Sequence, residues 1–459
     1  MLKIYRTFYS FLFFILILGL GSCSTHDLDP SLEQNKEASE AIKTSADIEG
    51  ILKGTYNRMT STEYYGRDYI ITNEVRTPNT WANGSSGRFT TEAGFAYNAN
   101  SLYIWDNAYA VIASANIIIG ADITTLEDAN ENTAYAKHLQ GQAYAIRALA
   151  HFDLLKTFGQ KHIGGTLGVP YISEFKGDDD IPARATIQEN QESIMNDIRT
   201  AYAMMSSDFF TPNSKTFISK YAAKAFESRM AIWFERWEDA RDAAKIVIDA
   251  NAYGIIDQAS FVSSFASDNP SNSIFELAFD DTDNEGINGL EYIYRGSSYG
   301  DISVTPTVFN ELYEDGDVRA DILGTEDIGS NTRLRNMGKY PDRSSNIVLI
   351  RYEEVILNYA EALYELGDAQ GLIWLNKIPE NRGASLYTVA TQENILEERR
   401  KEFLFEGHYY WDLQRMGYDI EKVDVEQNIT ETVVYGDNRR IHPIPNAELD
   451  ANSNMVPNP

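Results

Sequence analysis

Apolar residues recur at helical spacing through several long stretches of this chain. In SADIEGILKGTYNRM, which Ser45 can cap, Ile48, Ile51, Leu52 and Tyr56 fall on one helical face. Leu102 to Ile119 places Trp105, Tyr109, Ile112 and Asn116 at the same spacing. Tyr135 to Phe158 reads as a second long helix, ended by Gly159, and Thr186-Ile187-Gln188-Glu189 is a capping box that opens a third. From Phe217 to Asp249, Ala222, Ala225, Ala231, Ala240, Ala243 and Ala244 recur where two helices would cross closely, with a turn near Arg236-Trp237. That is the pattern of a tetratricopeptide helix pair. Arg351 to Ile378 reads as a similar pair, with Gly367-Asp368 at its turn.

Two stretches interrupt the helical pattern. Tyr64 to Gly94, with Pro78, several Gly and Asn, and many aromatics, reads as a long loop region. Asn251 to Gly338 is rich in Asp, Asn, Ser and Gly and holds short strand-like pieces such as Ser273 to Phe279. No shift in composition splits the chain. The expected fold is mainly α, a single domain over residues 45–459: a tetratricopeptide-like helix-pair scaffold with long ligand-presenting loops and a few short strands.

The N-terminus carries an address. Lys3 and Arg6 precede an apolar run that ends at Leu20, too short to span a bilayer comfortably and closed by small residues. Residues 1–22 are read as a secretory signal peptide. Cys23, the only cysteine, follows Leu20-Gly21-Ser22 and resembles the lipobox of bacterial lipoproteins, so it is the expected lipidation site. Residues 23–44 are polar and aperiodic and read as the lipidated tether. The formal charge is −29, and removal of Lys3 and Arg6 takes it to −31. Such acidity argues against binding nucleic acid or anionic lipid by charge. The 28 tyrosines suit a ligand held by stacking and a large core equally well.

One stretch, LEERRKEFLFEGHYYWDLQRMG, raises the question of catalysis. On a helix, Glu398, Glu402 and Glu406 would form one stripe with Cβ atoms roughly 5–6 Å apart, and paired carboxylates are what a retaining glycosidase uses. Yet Arg399, Arg400 and Arg415 stand nearby, and Phe403, Leu404 and Phe405 surround the charges with apolar bulk. The stretch therefore reads as a partly buried ionic network, with Gly407 ending the helix and a short second segment over Tyr409 to Met416. The six histidines show no zinc motif. Asp281, Asp283 and Glu285 resemble the start of a calcium loop, but Glu291 falls at the eleventh position, so the stretch reads as a solvated acidic loop. Neither a metal nor another cofactor is expected.

Several motifs in a fixed order are similar to the SusD/RagB family of Bacteroidota surface lipoproteins. They are the lipobox; the Trp105, Tyr109, Asn116 helix; GQAYAIRALAHFDLLKTFG followed by GVPYI; AAKAFESRMAIWFERWEDA; EDGDVR; RYEEVILNYAEALYELG with LNKI and Asn381-Arg382-Gly383; EERRKEFLFEGHYYWDLQRMG; and HPIPNAELDANSNMVPNP. The family commonly carries an arginine where Pro379-Glu380 stand. The resemblance implies a non-catalytic, outer-membrane protein, lipid-anchored and facing the cell surface. It would capture a nutrient, usually an oligosaccharide and sometimes a peptide, beside a SusC-like TonB-dependent transporter. A surface glycoside hydrolase using paired carboxylates and a purely structural lipoprotein are the alternatives.

The loops after the first helix form part of the ligand surface in that family. Within this loop, Trp81 is the expected stacking platform, with Asn83, Arg76 and Tyr69 beside it. Tyr294, Arg295 and Tyr299 are the expected second wall.

Overall fold

The computed structural model describes residues 42–101, 103–176, 181–295 and 299–459. Cys23, the signal segment and the tether through residue 41 lie outside the described residues. The longer helices are α1 (Ser45–Met59), α2 (Asp68–Val75), α3 (Trp105–Ile119), α4 (Ala129–Phe158) and α5 (Ile187–Met204). They continue with α6 (Lys220–Trp233), α7 (Trp237–Asp249), α8 (Tyr352–Glu365), α9 (Gln392–Glu402) and α10 (Tyr409–Arg415). Three two-stranded antiparallel ladders complete the fold: β1 (Thr80–Ala82) with β3 (Ile302–Val304), β2 (Ser273–Leu277) with β6 (Ile347–Arg351), and β4 (Leu323–Ile328) with β5 (Asn331–Asn336).

Helices α3 to α8 stack in chain order, each packed on the next. This is the helix-pair scaffold expected from the sequence. Small residues set the close approaches. Ala222, Ala225 and Ala231 of α6 and Ala240, Ala243 and Ala244 of α7 are all buried. In α4, a Cβ at Gly141 would stand 2.7 Å from Met205 Cγ and 3.1 Å from the Ala201 carbonyl, so only glycine admits α5 at this distance.

Local chemistry explains most of the ends. Thr186 accepts from the Glu189 N–H while Glu189 reaches back, the capping box read from the sequence. At α1 the cap is Thr44, paired with Asp47, and not Ser45, which donates instead to Asp128 (Oγ to Oδ2, 2.6 Å). Ile42 packs on the core and the Lys43 carbonyl accepts from Glu127 N–H. The fold therefore takes in the last three residues assigned to the tether.

The region from Tyr64 to Gly94 is not the loop expected. It contains α2, buried along nearly its whole length, and the strand β1. What holds α2 down is a carboxylate: Asp153 of α4 accepts hydroxyls from Tyr64 (2.7 Å), Tyr65 (2.5 Å) and Tyr69 (2.7 Å). Burying a carboxylate is costly without partners, and three phenols and Lys156, 3.1 Å away, supply them.

The carboxylate stripe also departs from its expected geometry. Helix α9 stops at Glu402, and Phe405 (φ 73°) and Gly407 (φ 74°) turn the chain sharply, so Glu406 hangs from a turn and not a helix. All three carboxylates are tied to cations. Arg319 donates to Glu398 at 2.7 Å and to Glu402 at 3.3 Å. Arg382 meets Glu402 at 2.8 Å and Glu353 at 3.0 Å. Arg351 meets Glu402 at 2.6 Å and Glu406 at 3.0 Å. Burial alone would raise the Glu402 carboxyl, but Arg382, Arg351 and Arg319 hold it well below the ordinary carboxylate range. The stripe is a structural hub. Pro379-Glu380, where the family commonly has arginine, ends a short helix, and Arg382 beyond it supplies the cation.

A second buried carboxyl behaves in the opposite way. Glu74 of α2 accepts the Gly407 N–H at 3.0 Å, but its other oxygen has no partner, and burial pushes its pKa up to about 7.

These two carboxyls give two expectations. Glu402→Ala removes the carboxylate that three buried arginines share and should cost about 3–5 kcal/mol, read as a lowered urea midpoint; a loss below about 1 kcal/mol, as for an exposed pair, would contradict the hub. Glu74 favours folding while protonated, so its contribution is complete below the unfolded value of 4.5 and lost as pH rises through about 7. Relative to wild type, Glu74→Gln should therefore gain about 3 kcal/mol between pH 4.5 and 8, measured by urea unfolding at both pH values.

Candidate ligand-binding face

The ladder of β1 and β3 pairs Thr80 with Val304, Trp81 with Ser303 and Ala82 with Ile302. Side chains alternate across a strand; Thr80, Ala82 and all three residues of β3 are buried, while Trp81, between Thr80 and Ala82, is half-buried and faces outward. The register continues past the strand ends, because Asn83 N–H donates to the Asp301 carbonyl at 2.9 Å. Trp81, Asn83, Ser303 and Asp301 thus share one face, with Ser303 and Asp301 buried in it. Tyr299 stands beyond Gly300, whose φ of 45° ends the extended run, and meets this region through Arg88.

So short a ladder needs help at both edges. On the β1 side, Asn428 acts as a one-residue strand: its Oδ1 accepts from Ala82 N–H at 2.9 Å and its Nδ2 donates to the Ala82 carbonyl at 3.0 Å. On the β3 side, the buried Arg335 guanidinium donates to the carbonyls of Gly300 and Ile302. Asp424 adds a bond to Thr307 N–H at 3.1 Å, fixing the 421–428 segment beside the face.

The loop after β1 is held by Arg88. Its guanidinium meets the fully buried Asp301 at 3.1 Å, donates to Asn288 Oδ1 at 3.0 Å and lies 4.8 Å over the Tyr299 ring. Arg333 reaches Ser85 Oγ at 2.5 Å from the β4–β5 hairpin. Ile287, beside Asn288, and Val425 expose their side chains to solvent.

The seven residues singled out from the sequence divide into three groups. Trp81 and Tyr299 are half-buried rings, Trp81 on the outward face and Tyr299 beside the loop that follows β1. Trp81 stands outside the continuous core cluster, and among the described residues it makes no ring or cation–π contact. Asn83 and Arg295 are braces: Asn83 Nδ2 donates to Gly300 carbonyl (2.6 Å) and Ser303 Oγ (3.0 Å), while Arg295 donates to the carbonyls of Pro341 and Lys339.

Tyr69, Arg76 and Tyr294 are core residues, a correction to their expected surface role. Tyr69 donates to Asp153, and Tyr294 donates to the Phe405 carbonyl at 3.0 Å. Arg76 lies 3.7 Å over the Tyr410 ring and donates to Tyr97 at 3.0 Å. Their types matched a sugar site, but α2 and its neighbours consumed them as packing. Arg88 was missed, although its place at the end of the flexible Gly84-Ser85-Ser86-Gly87 run marked it as the one cation able to anchor that loop.

Elsewhere, two neighbouring depressions of about 290 and 640 Å³ share Glu174 and Phe175 along α3. Trp105 lines the smaller one, with its Nε1 donating to Glu448 at 3.3 Å. Among the described residues no three His, Cys, Asp or Glu side chains converge as metal ligands, and Asp280 closes its own loop by accepting from Thr282 and Asp283.

Two family models match the chain. One, described as starch-binding and associating with the outer membrane, covers residues 28–232, and the other, the SusD family, covers residues 331–459. The chain belongs to the SusD/RagB family. A SusD-like protein of Formosa agariphila, P2, is 24% identical over 98% of this chain and 99% of its own length. A SusD-like protein of Bacteroides ovatus is 20% identical over 86% of this chain and 80% of its own. Among solved structures, a putative sugar-binding protein from Bacteroides vulgatus superposes with a TM-score of 0.83 at 28% identity, covering 91% of this chain and 99% of that one. SusD/RagB proteins are outer-membrane lipoproteins of the Bacteroidota cell surface, with sugar-binding, nutrient-uptake roles that are generally non-enzymatic. Among the described residues, no helix of this SusD/RagB chain is long and apolar enough to cross a membrane.

Arg88→Ala leaves Asp301 buried without its cation. The expected result is a loss of roughly 1–3 kcal/mol together with faster proteolytic cleavage in the loop 84–88, followed by limited digestion and mass spectrometry. Cleavage at the wild-type rate would show that Arg88 does not hold the loop.

Proposed function

We propose that this protein is a lipid-anchored, surface-facing binding protein that captures an oligosaccharide on the β1–β3 face and delivers it to a SusC-like TonB-dependent transporter. One observation carries the choice of site: Trp81 is an outward-facing ring on a strand pinned at both edges, without an aromatic partner of its own. A pyranose has an apolar face that stacks on such a ring, and rigid platforms lose little entropy on binding. Tyr299, held under Arg88 beside the loop that follows β1, supplies a second half-buried ring. The family's sugar-binding character supports the ligand class. The ionic engagement of Glu398, Glu402 and Glu406 supports binding without hydrolysis.

Trp81→Ala should weaken glycan binding by about 1–3 kcal/mol, by analogy with bases stacked on aromatics, with an unchanged melting temperature. Calorimetry against a glycan panel, with Phe175→Ala as the control, reads this directly. Unaltered affinity in Trp81→Ala with loss in Phe175→Ala would move the site to the depression along α3. Shortened glycan products would replace binding by hydrolysis, and affinity for peptides alone would replace the ligand class. In the same cells, Cys23→Ala should shift the protein from the membrane to the soluble fraction; firm retention of the mutant would overturn the lipid anchor.

A further inference from the structure

Between α2, α4, α6 and α10 lies a cavity of about 60 Å³, remote in function from the outward face and lined by Tyr65, Tyr69, Lys156, Arg229, His408 and Trp411 among others. Its lining has more hydrogen-bond donors than acceptors to receive them. Trp411 is 7% exposed, and its Nε1–H has no protein acceptor. Among the described residues, Arg229 uses Nε and Nη2 on Glu354 and Leu349, leaving Nη1 without a partner. Arg399 uses Nε on Asp412 and Nη1 on Asn358, leaving Nη2 likewise. Lys156 has one ion-pair partner, Asp153, and otherwise faces the rings of Tyr69, Phe152 and Trp411.

The carboxylates in the lining are already engaged by cations. Glu406 is bound by Arg351 and Lys339, and Asp412 by Arg399 and Arg415. The Tyr65 and Tyr69 hydroxyls donate to Asp153. Burial, and then repulsion from Arg229, holds the His408 imidazole well below its ordinary value against the pull of Glu406 and Asp412, so the ring is neutral. Burial likewise lowers Lys156, and Arg229 acts in the same direction.

We propose that this cavity is a binding site for a small monovalent anion of chloride size. A water accepts two hydrogen bonds at most, whereas a halide only accepts and can take the protons of Trp411 Nε1, Arg229 Nη1, Arg399 Nη2 and Lys156 Nζ together. The volume suits one such ion with its remaining water, since a water needs about 10–15 Å³ of such space. Bound there, the anion joins α2, which leads into the β1 strand, to α4, α6 and α10.

The test uses the purified wild-type protein and bromide. Crystals soaked in bromide should give an anomalous peak in the cavity, beside Trp411 Nε1 and Lys156 Nζ. In solution the unfolding midpoint should rise with chloride and not with gluconate, which is too large for the cavity, at equal ionic strength. Trp411→Phe, which keeps the ring and removes the donor, should weaken halide affinity about tenfold. Water alone in the cavity, a midpoint indifferent to chloride, or a bromide peak without any solution effect (binding at crystal concentration only) would each overturn the site.

Discussion

Glu402 is the point on which the second half of this molecule turns. Three guanidiniums meet its two oxygens, and each comes from a different segment: Arg319 from the short helix after the 314–317 turn, Arg351 from the end of β6, and Arg382 from the turn before α9. Isolated buried ion pairs add little to stability, because desolvation offsets attraction. A hub differs in that its members also donate to backbone. Arg351 donates to the Glu402 carbonyl and Arg382 to the Ile256 carbonyl, so side chains here do the work that a sheet does elsewhere. Strands in this fold are short and scattered in three pairs. The charged network gives the irregular half its register.

The helical half obeys a different rule. Its helices pack through alanines and one tight glycine, with apolar contacts that are individually weak and collectively large. Arg229–Glu354 ties α6 to α8 within the helical stack, and Arg415–Glu361 ties α8 to α10 beyond it. Between the two regimes sit the tyrosines on Asp153, where phenols and a carboxylate meet in the core. The large number of tyrosines is therefore explained in part by structure: many of them satisfy buried charges.

How much of this could be read from the chain follows from the range of the forces involved. The helix pairs were legible because periodicity and capping are local: Thr186 with Glu189, the alanines of α6 and α7, and the Gly367 turn all signal within a few residues. Helix α2 was not legible. Its eight residues are too few to show a period, and it is buried because Asp153, far away in the chain, accepts Tyr69 and the Tyr64 and Tyr65 that precede it. The same reason misassigned Tyr69, Arg76 and Tyr294, whose side chains fit a sugar as well as they fit a core. Trp81 stayed at the surface because it alternates with the buried Thr80 and Ala82, a feature that becomes visible once β1 is paired with β3. Arg88 took its role from Asp301, more than two hundred residues on.

The Asn428 amide that closes the free edge of β1 has a consequence for how the protein comes into being. The outward face is assembled from residues 80–88, 287–288, 299–303, 333 and 424–428, so it has no existence in any contiguous fragment. During synthesis the first half can fold its helix pairs while Trp81 still lacks both a paired strand and its edge cap. The outward face is therefore among the last features to form, and a chain cut short before Asn428 leaves the edge of β1 unclosed.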